Sequence, residues 1–278
     1  MNIGIVGLGL IGGSIGLKLQ SLNHTVYGVT NNKSNEIKAK KRKLANCISQ
    51  DYKILENCSI IFLALPIKQL IDPSQNLIKA IPPKAILTDV GSVKVPIIKT
   101  WEKIHDLFIG SHPMAGTEEK GVNAGRIELF NNSKWVITPT NKTDQNSLKI
   151  LSELIKNIGC NIYFENPAIH DQAVAHISHL PIYLASCLIE TAYCKNNQDL
   201  LDLSGKLAAT GFSDTSRVGG GNPDLGVDLA ENNTINILDT IKKFKKNINE
   251  IEKIFEDRNW ELLEKKLKKA QEWRNHFC

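Results

Sequence analysis

Short apolar runs alternate with amphipathic stretches along the first 165 residues of the chain. Residues 2–6 (NIGIV), 25–29 (TVYGV), 59–65 (SIIFLAL) and 85–90 (AILTDV) read as strands. The continuous apolar run at 59–65 suits a strand buried on both faces. Further strands are predicted to end at 108–111 and to span 135–138 and 161–164. Between them, apolar residues at helical spacing predict helices over 11–22, 34–43, 67–80, 95–105 and 144–158. Strands alternating with helices in this way predict a parallel, doubly wound sheet. After about residue 166 the pattern changes. No strand is predicted there, and helices are expected over 168–193, 199–209, 224–257 (one or two) and 260–277.

Three glycines, Gly7, Gly9 and Gly12, follow the first strand in the spacing G-x-G-x-x-G and open a helix within a unit of about 30 residues. Gly7 permits a tight turn, Gly9 lets backbone approach a pyrophosphate, and Gly12 allows close helix–strand packing. Leu10 and Ile11 head the helix whose N-terminus faces the phosphates. The predicted fold is therefore α/β. A Rossmann-like doubly wound parallel sheet domain (1–165) is followed by an all-helical second domain (166–278). At the end of the second strand, where an NAD site usually carries Asp or Glu, the chain has Thr30, Asn31, Asn32 and Lys33. Hydroxyl, amide and ammonium donors there favour a 2′-phosphate and hence NADP, with NAD possible; a polar loop tolerant of either is the alternative. Leu65 and Pro66 end the strand past which a nicotinamide ribose would run.

Composition narrows the classes. The net charge is +5, but the lysines cluster at 38–43 and 242–269 among apolar residues at helical spacing. They read as solvated helix faces, so no nucleic-acid partner is predicted. No stretch reaches the ~18 uninterrupted apolar residues of a membrane span, and the N-terminus reads as a strand, so neither membrane nor signal peptide is predicted. The six cysteines (Cys47, Cys58, Cys160, Cys187, Cys194, Cys278) form no C-x-x-C and no metal spacing. Reduced thiols in a cytoplasmic protein, and no metal, are expected.

The reacting groups should lie beyond the carboxyl ends of the strands. Segments 89–94 and 111–117 both fall there. His24, His105, His170 and His276 read as surface or structural residues in turns or helix ends. His112 sits between Ser111 and Pro113, where an imidazole can take a hydroxyl proton as hydride leaves the adjacent carbon. His176 and His179 lie three apart on one helix and lack an evident third metal ligand. Arg217 precedes Gly219, Gly220 and Gly221 and is placed either to clamp a carboxylate or as a surface arginine.

The segments GLGLIGGS, TDVGSVK (88–94), GSHPMAGTEEKG (110–121), HDQAVAHISHLP (170–181) and DTSRVGGGNPDLG (214–226) appear in that order. Together they resemble the prephenate/arogenate dehydrogenase family over both domains. The resemblance implies an NAD(P)-dependent oxidative decarboxylation leading to tyrosine. It implies that His112 bonds the ring 4-hydroxyl as base and that Ser92 orients His112 or that hydroxyl. Arg217 would bind a substrate carboxylate, in its own subunit or across a dimer interface. His179 and Thr117, with Gly116 and Met114, would shape the substrate pocket, and Lys94 would support the site or sit behind it. It also implies a homodimer through the helical domain and a monofunctional member with neither mutase nor effector domain. Any tyrosine inhibition would then be competition at the active site. Ile182 follows Pro181 where many members have histidine. The acid-free segment at 30–33 resembles NADP-using members, which favours arogenate as substrate, with prephenate as the alternative. Glu118, Glu119 and Asp214 are candidates to meet an arogenate amine. A β-hydroxyacid or imine-reductase type of dehydrogenase is the rival enzyme, although G-x-x-G-x-G-x-x-x-K is absent. A non-catalytic NADP-sensing module is the rival from another class, and it would need no base beside the nicotinamide.

Overall fold

The computed structural model describes residues 1–117 and 119–277, so Glu118 and Cys278 lie outside the described residues. The chain runs β1 (Asn2–Val6), α1 (Leu10–Ser21), β2 (Thr25–Val29), α2 (Lys33–Lys41), β3 (Cys47–Ser49), β4 (Ile60–Leu63), α3 (Ile67–Ile71), α4 (Gln75–Ala80), β5 (Ile86–Asp89), α5 (Val95–Trp101) and β6 (Phe108–Met114). It continues through β7 (Lys134–Thr138), α6 (Gln145–Ile158), β8 (Asn161–Phe164), α7 (Pro167–Val174), α8 (Leu180–Ala192), α9 (Gln198–Leu207), α10 (Thr210–Ser216), α11 (Pro223–Asn232), α12 (Thr234–Glu256) and α13 (Trp260–Arg274).

The strands form one sheet in the order β3-β2-β1-β4-β5-β6-β7-β8. β1 pairs in parallel with β2 and β4, and the chain's order reverses there, so the loop after β1 opens at the topological switch point. Each inner strand feeds two cores, one per face. Ile60 and Phe62 of β4 join Ile3, Ile15 and Trp135 on one side, while Ile61 and Leu63 join Leu70 and Trp101 on the other. This two-sided burial is why 59–65 reads as unbroken apolar sequence.

Four details depart from the sequence reading. The sheet is not wholly parallel, because β7 runs antiparallel to β6 before α6 crosses to parallel β8. The helix expected over 67–80 is two, because Pro73 withdraws a backbone donor and disfavours the helical conformation at Asp72. The chain restarts at Ser74, whose hydroxyl accepts from Leu77 N at 3.3 Å. Strand β3 and helix α10 were not anticipated. Finally, Pro167–Ala192 is helical throughout but is interrupted by a π-helical segment at Ala175–His179. By length and composition that composite helix could cross a membrane. Its buried polar residues, His170, Asp171 and His179, are instead bonded within the protein.

Two compact units are present, Met1–Asn233 and the segment from Thr234 onward. Helices α7 to α11 thus fall in the same unit as the sheet, and α12 and α13 lie in the second.

Candidate active site

The glycine turn fits a dinucleotide. Gly7 has φ +95°, and a Cβ there would stand 2.2 Å from the Ala64 carbonyl oxygen. A Cβ on Gly12 would stand 1.9 Å from the Gly7 oxygen. A Cβ on Gly9 would meet no protein atom within 4 Å. Gly7 and Gly12 are therefore required by the protein's own packing, while Gly9 borders open space. Helix α1 begins there with no side-chain cap, leaving the amides of Leu10 and Ile11 to a ligand. Leu65 is half-buried and Pro66 exposed at the start of α3.

The β2–α2 corner is preorganised by amides. Asn32 caps α2 through Asn35 N at 2.9 Å. The Asn31 side-chain oxygen accepts from Asn32 Nδ2 at 3.0 Å and Asn35 Nδ2 at 2.8 Å. The Thr30 hydroxyl is buried with no partner among the described residues. Lys33 is exposed, its Nζ 3.2 Å from Glu36. Glu36, which sequence reasoning passed over, also takes bonds from Lys40 at 2.5 Å and Gln50 at 2.8 Å. The Lys40 bond, then those of Gln50 and Lys33, hold its carboxyl down at about 2. Its spacing, three after Lys33 and four before Lys40, was the available signal.

Beyond the carboxyl ends of β5 and β6 lies a buried polar cluster. β6 carries Ser111 and His112, and His112 Nδ1 lies 2.9 Å from His170 Nε2, the two rings crossing at 78°. His170 Nδ1 lies 2.8 Å from Asp171 Oδ1. Asp171 Oδ1 also accepts from Lys94 N at 2.7 Å, and Oδ2 from Val95 N at 2.9 Å. The carboxylate on α7 thus caps α5, a helix with no side-chain cap of its own. Lys94 is completely buried; its Nζ bonds the Asp89 carboxylate and the Ser111 carbonyl, the latter at 2.7 Å. Asp89 accepts further from Gly91 N at 2.8 Å and Ser111 N at 3.2 Å. Burial pushes the Asp89 carboxyl up and the Lys94 ammonium down, each against the other's attraction. Lys94 is therefore a buried support behind the site.

Burial above all, and then the neighbouring His170, Lys94 and His179, which disfavour a further positive charge among them, hold His112 well below its ordinary value. It is a neutral imidazole at neutral pH. His179, on the π segment, is buried with Nδ1 3.2 Å from Asn233 Nδ2; its Nε2 has no partner among the described residues. Asn233 Nδ2 also donates to the Asp171 carbonyl at 2.8 Å. Sequence reasoning missed His170, Asp171 and Asn233. His170 in particular, grouped with ordinary turn histidines, is buried beside His112. His105 is structural, bonded to the Ala85 carbonyl at 2.7 Å.

The remaining candidates take these positions. Ser92 is half-buried on the β5–α5 loop; among the described residues its hydroxyl is not bonded to His112. Met114 ends β6, and Gly116 and Thr117 follow it. The Thr117 hydroxyl accepts from Glu119 N at 3.2 Å. Glu119 pairs with Arg126. Arg217 is exposed at the head of a 3-10 turn, Arg217–Gly220. That turn rests directly on α8, since a Cβ on Gly219 would stand 2.6 Å from Ala185 and Ser186 backbone.

A dinucleotide cradle at the switch point, with a buried histidine toward the carboxyl end of β6 on the same sheet, is the equipment of a dehydrogenase that removes a hydroxyl proton and a hydride together. The model of the family described as "Prephenate dehydrogenase, nucleotide-binding domain" matches residues 15–164, and that of "Prephenate dehydrogenase, dimerization domain" matches residues 166–269. The crystal structure of Synechocystis arogenate dehydrogenase is 38% identical with a TM-score of 0.84, covering all of both chains. That of prephenate dehydrogenase from A. aeolicus, in complex with hydroxyphenyl propionate and NAD+, is 27% identical with a TM-score of 0.91, over 100% of this chain and 98% of that one. Prephenate dehydrogenase of Bacillus subtilis is 28% identical over 98% of this chain and 74% of its own length. The chain belongs to the prephenate/arogenate dehydrogenase family and is an oxidoreductase that uses NAD(P).

Proposed function

We propose that this enzyme converts arogenate to tyrosine with NADP as oxidant. The observation that carries the reading is His112, a buried neutral base toward the carboxyl end of β6, at the same edge of the parallel strands as the glycine turn after β1. His112 Nε2 takes the proton of the ring 4-hydroxyl. NADP, when bound, accepts the hydride that leaves the carbon bearing that hydroxyl. The bond from the ring to its carboxylate then breaks, carbon dioxide departs, the electron pair completes the aromatic ring, and the phenolate oxygen so formed takes its proton back from His112. Gly7, Gly9, Leu10, Ile11 and Gly12 hold the pyrophosphate, with Leu65 and Pro66 beside the nicotinamide ribose. Thr30, Asn31, Asn32 and Lys33 hold the 2′-phosphate, supported by the unpartnered Thr30 hydroxyl and the exposed Lys33 ammonium. Ser92 orients the reacting hydroxyl. Met114, Gly116, Thr117 and His179 shape the pocket, and Arg217 binds a carboxylate.

Residues 1–165 serve the dinucleotide, and residues 166–278 the substrate and a homodimer. The dimer is supported by the family description and by Leu200, Leu203 and Leu207, exposed along α9. A cytoplasmic location accompanies this reading. The arogenate choice is supported by the likeness to the Synechocystis enzyme. The second reading, prephenate to 4-hydroxyphenylpyruvate with NAD or NADP, is favoured by the other two relatives. Initial rates on arogenate and on prephenate, each with NADP and with NAD, test the choice. Turnover of arogenate with NADP is expected. Preference for prephenate overturns the substrate, preference for NAD overturns the assignment of residues 30–33, and no turnover on either overturns the function.

A further inference from the structure

We propose that His170 and Asp171 act together as a positioning relay that keeps the proton of His112 on Nδ1 and so leaves Nε2 bare toward the substrate. The proposal rests on the reading of His112 as the base. It starts from the far end of the chain of hydrogen bonds, where chemistry leaves no choice of donor. A carboxylate only accepts. Asp171 meets three N–H positions: Lys94 N at 2.7 Å, Val95 N at 2.9 Å and His170 Nδ1 at 2.8 Å. His170 must therefore carry its proton on Nδ1. In the proposed relay that is the only proton His170 carries, so its Nε2 is bare, and that atom lies 2.9 Å from His112 Nδ1. Two bare nitrogens do not hold each other at hydrogen-bond distance, so His112 Nδ1 bears the hydrogen. A neutral imidazole has only one, and Nε2 is left with its lone pair.

The anchor is well fixed. Two of the three donors on Asp171 are backbone amides at the start of α5, and Pro96 follows them with no N–H to compete. The Asp171 carbonyl is held separately by Asn233 Nδ2 at 2.8 Å. Neither relay residue needs to touch substrate, so each acts through His112.

The same chain offers an exit for charge. When the substrate's hydroxyl proton arrives at His112 Nε2, the Nδ1 proton can cross to His170 Nε2. One proton is gained and one passed on, and the positive charge comes to rest beside the Asp171 carboxylate. Remaining on His112, it would sit near Lys94 and His179, with Asp89 already engaged by Lys94.

The test compares two substitutions at one buried site. In His170→Gln the side-chain oxygen falls close to the former Nε2 and still accepts from His112 Nδ1. In His170→Phe the ring fills the space and accepts nothing. The relay predicts that Phe lowers kcat by about a hundredfold, the low end of what general base catalysis supplies. KM and cofactor affinity should change little, and Gln should recover most of that loss. A role in packing alone predicts the opposite order, and finding Phe as active as Gln would overturn the relay. Nitrogen NMR of the imidazoles gives a readout independent of turnover. It should show His112 protonated on Nδ1 both in the wild type and in His170→Gln, whose side-chain oxygen still accepts there. A wild-type spectrum with the proton on Nε2 overturns the proposal. If the wild type turns over neither arogenate nor prephenate, the proposed function has failed, and the spectrum alone decides the relay.

Discussion

Acidification should reveal how completely His179 is withdrawn from water. The side chain is 1% exposed, and its Nδ1 faces an amide hydrogen of Asn233, so a neutral ring keeps its own proton on Nε2. Burial lowers its pKa from 6.5 to about 4, with His170 adding to the effect and Asp171 opposing it. At ~1.4 kcal/mol per pKa unit, that difference amounts to about 3 kcal/mol of folding free energy. The direction follows from proton counting. Below about pH 6.5 the unfolded chain binds a proton that the folded chain refuses until about pH 4. The contribution is whole above the upper value, is lost progressively across the window and is gone below it. Denaturant midpoints of the wild type and His179→Asn, measured from about pH 7.5 to about pH 4, isolate it, because Asn keeps an acceptor for Asn233. The variant should lose about 3 kcal/mol less than the wild type on acidification. Parallel profiles would mean that His179 takes its proton freely in the folded state, and the case for a neutral donor in the pocket would collapse.

The two neighbouring glycines should separate packing from binding. Gly9→Ala should melt like the wild type while losing at least ~tenfold in NADP affinity by fluorescence titration, a ratio of about 1.4 kcal/mol. Gly12→Ala, driven into the Gly7 carbonyl, should lose ~1–3 kcal/mol or more of stability; equal melting of the two variants would contradict the cradle geometry. Lys94→Met leaves Asp89 buried without its cation and should cost ~3–5 kcal/mol by chemical denaturation. Asp89→Asn with Lys94→Met should recover part of that cost, and a double variant as weak as the single would refute the pairing. Lys33→Ala should raise KM for NADP about tenfold with NAD little changed, the side chain being 70% exposed and free to turn from Glu36. An unaltered NADP KM would remove Lys33 from phosphate binding.

The sheet was readable because burial on both faces leaves a continuous apolar run, as in Ile60–Leu63. Strand direction was not readable in the same way, since β7 is as apolar antiparallel as it would be parallel. β3 is three residues long and α10 seven, too short for any period to show. The glycine turn and His112 announced themselves by their place after strands. His170 did not, because it lies 58 residues from its partner and no local pattern links the two. Its one local clue was an acidic neighbour one turn inside a helix capped by Asn166, on a side that proved to be buried. Asn233 offered no clue, since its role depends on α7 and the π segment meeting at a single amide.

The π segment at Ala175–His179 has a consequence for angular phase. In an uninterrupted α-helix each residue advances ~100°, so eight steps from Asp171 to His179 sum to ~800° and end nearly a quarter turn off phase. A π bulge absorbs one residue without advancing the helix, which brings the sum to ~700°, about 20° from two whole turns. That correction brings His179 into line with Asp171, and the Asn233 amide bonds both the Asp171 carbonyl and the His179 ring. A chain shorter by one exposed residue of the bulge, Ile177, would reach the same phase through ordinary α-helical turns. The site therefore depends on where the helix points after the bulge, and the widened turn is how a helix one residue too long for its pocket keeps aim.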